Sequence, residues 1–328
     1  VPVLKRKINP SILIFFIISF ILIISHDHYS QQKTVKYTIV VHGGAGYIPQ
    51  DTPKELKQQY INSLTEALNI GKDILANGGT SIDAVEKVIN YFENNLLFNS
   101  GKGAVFTSDG KHELDASIMQ GKDLSCGAVA GVTIIKNPIS LARLVMEKTE
   151  YVLFAGKGAD DLGIQFGVDI VPNSYFQDST KYQKWLQSKF SEQQGETAGC
   201  VALDQYGNIT AGTSTGGRQN KTPGRVGDTP LINAGTYADN NTCGVSATGI
   251  GELFIRNTVA FNISALMQYK GYNLKEACYE MIYKRLPAES GGIIALDKDG
   301  NYEMPFNTNS MMRGVANSEG EFKVEIWK

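Results

Sequence analysis

The 328-residue chain carries 31 lysines and arginines against 33 aspartates and glutamates, a formal charge of -2, and 42% of its residues are hydrophobic. That length and apolar content support a large buried core and exclude a disordered chain. The near-neutral balance lacks the cationic surplus that a phosphate backbone demands, which excludes nucleic acid as a partner.

Lys5, Arg6 and Lys7 precede the apolar run ILIFFIISFILII at 12–24. The run is short for a membrane span and suits a signal-peptide core, so residues 1–32 are expected to direct export, to a periplasm or out of the cell. The following SHDHYSQQ has neither an A-x-A site nor a lipobox cysteine, which leaves a membrane tether by an uncleaved segment open. Next, YTIVV at 37–41 reads as a strand that turns at the glycines of HGGAG. Leu56, Tyr60, Leu64, Leu68 and Leu75 recur at helical spacing over 53–76, NGGT stops that helix, and Ser81 caps a second one over 82–92.

From His112 the pattern shortens to strands, ELDASIM and AVAGVTII, with LARLVME behind Pro138 as a helix. Residues 172–196 are mostly polar and read as a linker. A hairpin, VALD-QYGN-ITAGTS, follows, and its turn pattern returns as IALDKDGNY at 294–302. Two helices, 252–269 and 274–285, separate the later strands. Strands, a helix pair and further strands predict packed sheets with helices on their outer faces. The four cysteines, Cys126, Cys200, Cys243 and Cys278, have no histidine at metal-ligand spacing and read as core thiols.

Residues 195–216, GETAGCVALDQYGNITAGTSTG, contain two candidate nucleophiles. GTSTG fits the G-x-S-x-G elbow around Ser214, and HGGAG resembles a lipase oxyanion loop. That fold places its histidine after the serine, yet His26, His28, His42 and His112 all lie upstream. A hydroxyl without histidine needs another base, and an N-terminal threonine supplies one in its own α-amine, poised by a pKa of about 7.7–8.0. Thr197 follows a polar tail and begins a strand, but a threonine there is in most proteins only a β-former.

TAGCVALD, GTSTGGRQNKTPGRVGDTPLINAGTYADN and VSATGIGE together resemble the plant-type asparaginase and isoaspartyl peptidase family of N-terminal nucleophile hydrolases. HGGAG, FNSGKGAVFTSDGKHELDASIMQG and NPISLARLVMEKT extend the likeness over the first half, from about Tyr37 to the end. The resemblance implies an α+β fold, a four-layer αββα sandwich, divided by self-cleavage between Glu196 and Thr197 into an alpha chain (33–196) and a beta chain (197–328). It implies hydrolysis of isoaspartyl peptides and of the asparagine side-chain amide, releasing aspartate, by a dimer of cleaved units and without a catalytic cofactor.

By the same resemblance Thr197 is the nucleophile, Thr215 sits beside it, Thr248 and Gly249 stabilise the oxyanion, and Asn99 faces the catalytic site. Arg225 and Asp228 of GRVGD would take the α-carboxylate and α-ammonium of the substrate, with Thr248 and the Gly251 carbonyl beside them; a guanidinium fork and a carboxylate suit those groups. The stretch from Phe92 to Lys102 resembles a loop whose backbone carbonyls, at Phe92, Glu93, Asn95, Phe98, Ser100 and Lys102, hold a structural sodium ion. Two departures stand out: Glu196 where such enzymes carry glycine or aspartate, and Ala198 where valine is usual. Glycosylasparaginase, which shares GRVGD and TG-x-GE, is the nearest alternative. An aspartate-binding protein that has lost self-cleavage through Glu196 is the alternative from another class.

Overall fold

The computed structural model describes residues 36–46, 48–187 and 196–328. The expected leader at 1–32 and the end of the polar linker at 188–195 lie outside the described residues. Strand β1 (Thr38–Gly46) is buried along its whole length, as its unbroken apolar start requires. The turn expected at HGGAG is corrected: the strand runs through it over a bulge between His42 and Gly44, pairing Gly44 with Met312 of β11 (Ser310–Asn317). Gly44 takes φ of 125°, and a Cβ there would lie 2.5 Å from the Glu196 Cβ. Glycine thus supplies both the conformation and the room for the chain ahead of Thr197.

Among the described residues, β1 and β11 join β2 (Leu114–Gln120), β3 (Cys126–Val132), β4 (Leu153–Ala155), β5 (Ala198–Leu203), β6 (Ile209–Thr215) and β12 (Phe322–Glu325) in one sheet. Its order is β12-β11-β1-β5-β6-β2-β3-β4, antiparallel except between β3 and β4. Strands from both sides of the Glu196–Thr197 bond therefore interleave in one hydrogen-bonded ladder. A second sheet runs β10 (Tyr302–Glu303), β9 (Gly291–Asp297), β8 (Cys243–Gly249), β7 (Thr236–Ala238).

The two sheets share a core. A Cβ on Gly244 of β8 would fall 2.6 Å from both Val201 and Ile209 of the first sheet, and Val40, Val201 and Ala211 cluster with Val245, Ile293 and Ala295. On the opposite side of the first sheet, Gly71 of α1 (Lys54–Ala76) abuts Ile39, and Gly212 of β6 abuts Val85 and Ile89 of α2 (Ser81–Glu93). Leu64, Leu68 and Leu75 of α1 are fully buried, each contributing about 1.5–3 kcal/mol by leaving water.

The cap of α2 is corrected to Thr80, whose hydroxyl accepts the Asp83 N–H at 3.3 Å; Ser81 lies inside the helix with its hydroxyl 2.9 Å from that of Thr210. Helices α3 (Pro138–Lys148), α4 (Gly156–Phe166) and α5 (Ser179–Gln187) follow. The span expected as a polar linker, 172–196, holds α5 and a tight turn at Asn173–Phe176. Its few aromatic residues form a core: Trp185 stacks on Phe106 with centroids 5.4 Å apart, and Phe176 meets His112 at 6.1 Å. The single helix expected over 252–269 divides into α6 (Gly251–Asn257) and α7 (Val259–Lys270) at Thr258, whose φ is 44°. Helix α8 (Leu274–Tyr279) passes into a π-helical turn, Glu280–Arg285. All four cysteines are free thiols.

Candidate active site

Thr197 immediately precedes β5 and is buried. The β5–β6 register pairs Ala198 with Ser214, which carries Thr197 alongside Thr215, the last residue of β6. The Thr197 hydroxyl donates to Thr215 Oγ1 at 3.3 Å, and Thr215 in turn donates to the carbonyl oxygen of Glu196 at 3.1 Å. The Gly217 N–H donates to Thr215 Oγ1 at 2.9 Å, fixing which way that hydroxyl points.

Asn99 reaches the same carbonyl from another element: its Nδ2 donates to Glu196 O at 2.6 Å and to Gly217 O at 2.7 Å. The Val105 N–H occupies its Oδ1 at 2.9 Å, so the amide orientation follows from the hydrogen-bond network. Two donors thus converge on the carbonyl oxygen that precedes Thr197. Burial pushes the Glu196 carboxyl up to about 7, opposed by the charge of Lys181.

Strand alternation sends Ser214 to the opposite face from Thr215. Its hydroxyl donates to Glu93 Oε1 at 2.8 Å and accepts from Ser100 at 2.8 Å, away from Thr197. Glu93 is buried, which raises its carboxyl to about 8, with hydrogen bonds from Ser214, Asn137 and Ile139 pulling the other way. His42 spans Thr197 O through Nδ1 at 2.9 Å and the Ser246 hydroxyl through Nε2 at 3.0 Å. The carbonyl can only accept, so Nδ1 carries the proton. Burial lowers His42 to about 3 despite that bond, so the ring is neutral and holds the backbone of Thr197.

Beside Thr197 opens a cleft lined among others by Thr215, Arg218, Arg225, Asp228, Gly249 and Gly251. Arg225 grips Glu252 Oε1 through Nε at 3.0 Å and Nη2 at 2.9 Å. Asp228 is buried, with no partner on Oδ2; burial raises it to about 7 against the pull of its own backbone N–H and of Arg225. A buried carboxylate oxygen without a donor is a place for a cationic ligand group. Gly251 lies close enough that a Cβ there would sit 2.8 Å from Asp228 Oδ1.

The fold therefore gathers Glu196, Thr197, Thr215 and Asn99 into one hydrogen-bonded group and lines the adjoining cleft with Arg225, Asp228, Gly249 and Gly251. Thr248 is fully buried, and its hydroxyl accepts the Ala45 N–H at 3.1 Å, on the side of β1. In the stretch from Phe92 to Lys102 some carbonyls lie against two glycines: a Cβ on Gly101 would meet Glu93 O at 2.2 Å, and one on Gly103 would meet Phe98 O at 2.0 Å, Leu96 O at 2.9 Å and Asn95 O at 3.0 Å. Sequence reasoning missed Arg218, Glu252 and the Gly217 carbonyl. A second arginine in the glycine-rich run before GRVGD was the available signal for Arg218.

The asparaginase family model matches residues 35–326. The isoaspartyl peptidase of Escherichia coli is 43% identical, over 85% of this chain and 92% of that protein. The probable isoaspartyl peptidase/L-asparaginase 2 of Arabidopsis thaliana is 43% identical, over 89% and 99%. The plant-type L-asparaginase of Pyrobaculum calidifontis is 37% identical, over 88% and 99%.

Proposed function

The chain belongs to the asparaginase family, and from that premise we propose that it hydrolyses isoaspartyl peptides and the side-chain amide of L-asparagine, releasing L-aspartate, after cutting itself before Thr197. The observation that carries the proposal is the convergence of Asn99 and Thr215 on Glu196 O, with the Thr197 hydroxyl hydrogen-bonded to Thr215.

In the first stage Thr197 Oγ1 adds to the Glu196 carbonyl carbon, and the oxygen that gains charge already has Asn99 Nδ2 and the Thr215 hydroxyl as donors. The C–N bond breaks, the departing nitrogen takes the proton as the Thr197 α-amine, and water hydrolyses the resulting ester to free the Glu196 carboxylate and the Thr197 hydroxyl. In the second stage that amine, near its ordinary pKa of about 7.7–8.0, accepts the hydroxyl proton as Oγ1 attacks the β-carbonyl of the substrate. Ammonia or an amino acid leaves with a proton, and water releases aspartate from the acyl-enzyme. Arg225 takes the α-carboxylate of the substrate, and Asp228 the α-ammonium, for which its bare Oδ2 is suited. We assign the oxyanion of this second stage to Gly249, which lines the cleft, and to Thr248 before it.

We read the fold as the four-layer αββα sandwich of N-terminal nucleophile hydrolases, supported by the core shared between the sheets and by α1 and α2 on the outer face of the larger one. Residues 1–32 are proposed to direct export or to tether the protein, and the working unit to be a dimer of cleaved chains. The carbonyls of Phe92, Glu93, Asn95, Phe98, Ser100 and Lys102 are proposed to hold a sodium ion, which would brace the loop that carries Asn99; of these, the carbonyl oxygens of Glu93, Asn95 and Phe98 lie against Gly101 and Gly103. Glycosylasparaginase ranks second, because the relatives at hand carry isoaspartyl peptidase and asparaginase names.

The test is a comparison of parent and Thr197→Ala on β-Asp-Leu, asparagine and N-glycosylated asparagine. Hydrolysis of the first two by the parent alone supports the assignment, and a strong preference for the glycosylated substrate overturns it.

A further inference from the structure

We propose that Arg218 binds the carboxylate of the leaving group, which makes isoaspartyl dipeptides, whose leaving residue ends in a free carboxylate, the preferred substrates of this cleft. The inference rests on the function proposed above and narrows it.

Arg225 and Asp228 together complement one α-carboxylate and one α-ammonium, which is all the charge that free asparagine presents. A second guanidinium in the same cleft has no counterpart in asparagine, whose leaving group is ammonia. An isoaspartyl dipeptide does supply one: cleavage of its β-amide releases an amino acid with its own carboxylate.

Position agrees with this division. Arg218 is half-buried, lines the cleft with Thr197 and follows Gly217 directly. Gly217 takes φ of 81°, and both of its peptide groups are held, its N–H by Thr215 Oγ1 at 2.9 Å and its carbonyl by Asn99 Nδ2 at 2.7 Å. The start of the Arg218 side chain is therefore fixed beside the nucleophile and the residue that polarises it. Arg225, by contrast, belongs to the Asp228 and Glu252 side of the cleft. Burial acts to raise the Glu252 carboxyl, but its own backbone N–H, then Arg225, and last the charge of Arg218 hold it below its ordinary range, so Arg218 contributes to the field of the cleft. A planar guanidinium suits a carboxylate through two parallel hydrogen bonds.

The experiment compares kcat/KM for β-Asp-Leu and for its C-terminal amide, using self-cleaved parent and Arg218→Met. The parent is expected to favour the free acid by about tenfold or more, the size of a charge-assisted hydrogen bond, and Arg218→Met to lose most of that preference through KM, with Arg218→Lys recovering part of it. The parent comparison needs no variant, so it holds even if Arg218→Met fails to fold or to process. Equal use of acid and amide by the parent would overturn the inference, as would an undiminished preference in Arg218→Met. A self-cleaved parent that hydrolysed neither dipeptide nor asparagine would instead overturn the function proposed above.

Discussion

The hydroxyl of Thr215 donates to the carbonyl oxygen of Glu196 at 3.1 Å, so the residue that would polarise the nucleophile in the mature enzyme also holds the bond to be cut in the uncut chain. Asn99 completes the pair of donors. Thr215→Ala should therefore slow self-cleavage by about 10²–10³-fold, the usual cost of one oxyanion donor. The time course of the full-length band on denaturing gels measures this; processing at the parental rate would contradict it.

Gly44 should prove equally demanding, for a steric reason. Alanine there adds a Cβ at 2.5 Å from Glu196 Cβ in a backbone with φ of 125°, at a cost of about 2 kcal/mol or more. Gly44→Ala should lower the Tm of the uncut chain, and adding Glu196→Gly should recover the part owed to the clash but not the part owed to φ. Recovery to the parental Tm would assign the whole effect to the clash and refute the strain component.

Substrate affinity should follow the ionisation of Asp228. Burial raises its carboxyl to about 7 in the free cleft, and only the carboxylate attracts an ammonium, so KM for asparagine should fall as pH rises through about 7. Asp228→Asn should raise KM about 10- to 100-fold and remove that dependence. A KM that is flat in pH in the parent would contradict the role given to Asp228.

Stability should carry the signature of Glu93. Its carboxyl is raised in the folded chain from 4.5 to about 8, so the fold binds that proton more tightly than the unfolded chain does. The contribution is complete below about pH 4.5 and is lost as pH rises through about 8. The Tm of the parent should decline across that window, and Glu93→Gln, which cannot ionise, should decline less. Identical pH profiles of Tm would rule out Glu93 as the source.

Much of this arrangement could be read from the chain before any coordinates. Helix α1 announced itself through Leu64, Leu68 and Leu75, and the shortage of downstream histidines removed Ser214, which the structure places against Glu93 instead. Thr197 stood as a candidate through its place after a polar tail, and the family likeness decided for it, because a threonine at a strand start carries no catalytic mark of its own. The rest depended on contacts between distant residues. HGGAG looks like a turn until β11 is there to pair with it and Glu196 to lie over Gly44. Residues 172–187 look like a linker until Phe106 and His112 receive Phe176 and Trp185. The break at Thr258 is likewise tertiary, with the Ala260 and Phe261 N–H groups donating to the carbonyls of Ala234 and Asn233.

Glu196 is the departure on which the account turns: its carbonyl is held by two donors and its side chain lies over a glycine, and the expected outcome is that the chain cuts itself there. Intact mass with N-terminal sequencing of the purified protein tests this most directly. The predicted result is two fragments, one beginning at Thr197, in the parent and in Glu196→Gly, with Thr197→Ala remaining whole. A parent that stays one uncut chain after prolonged incubation would contradict it.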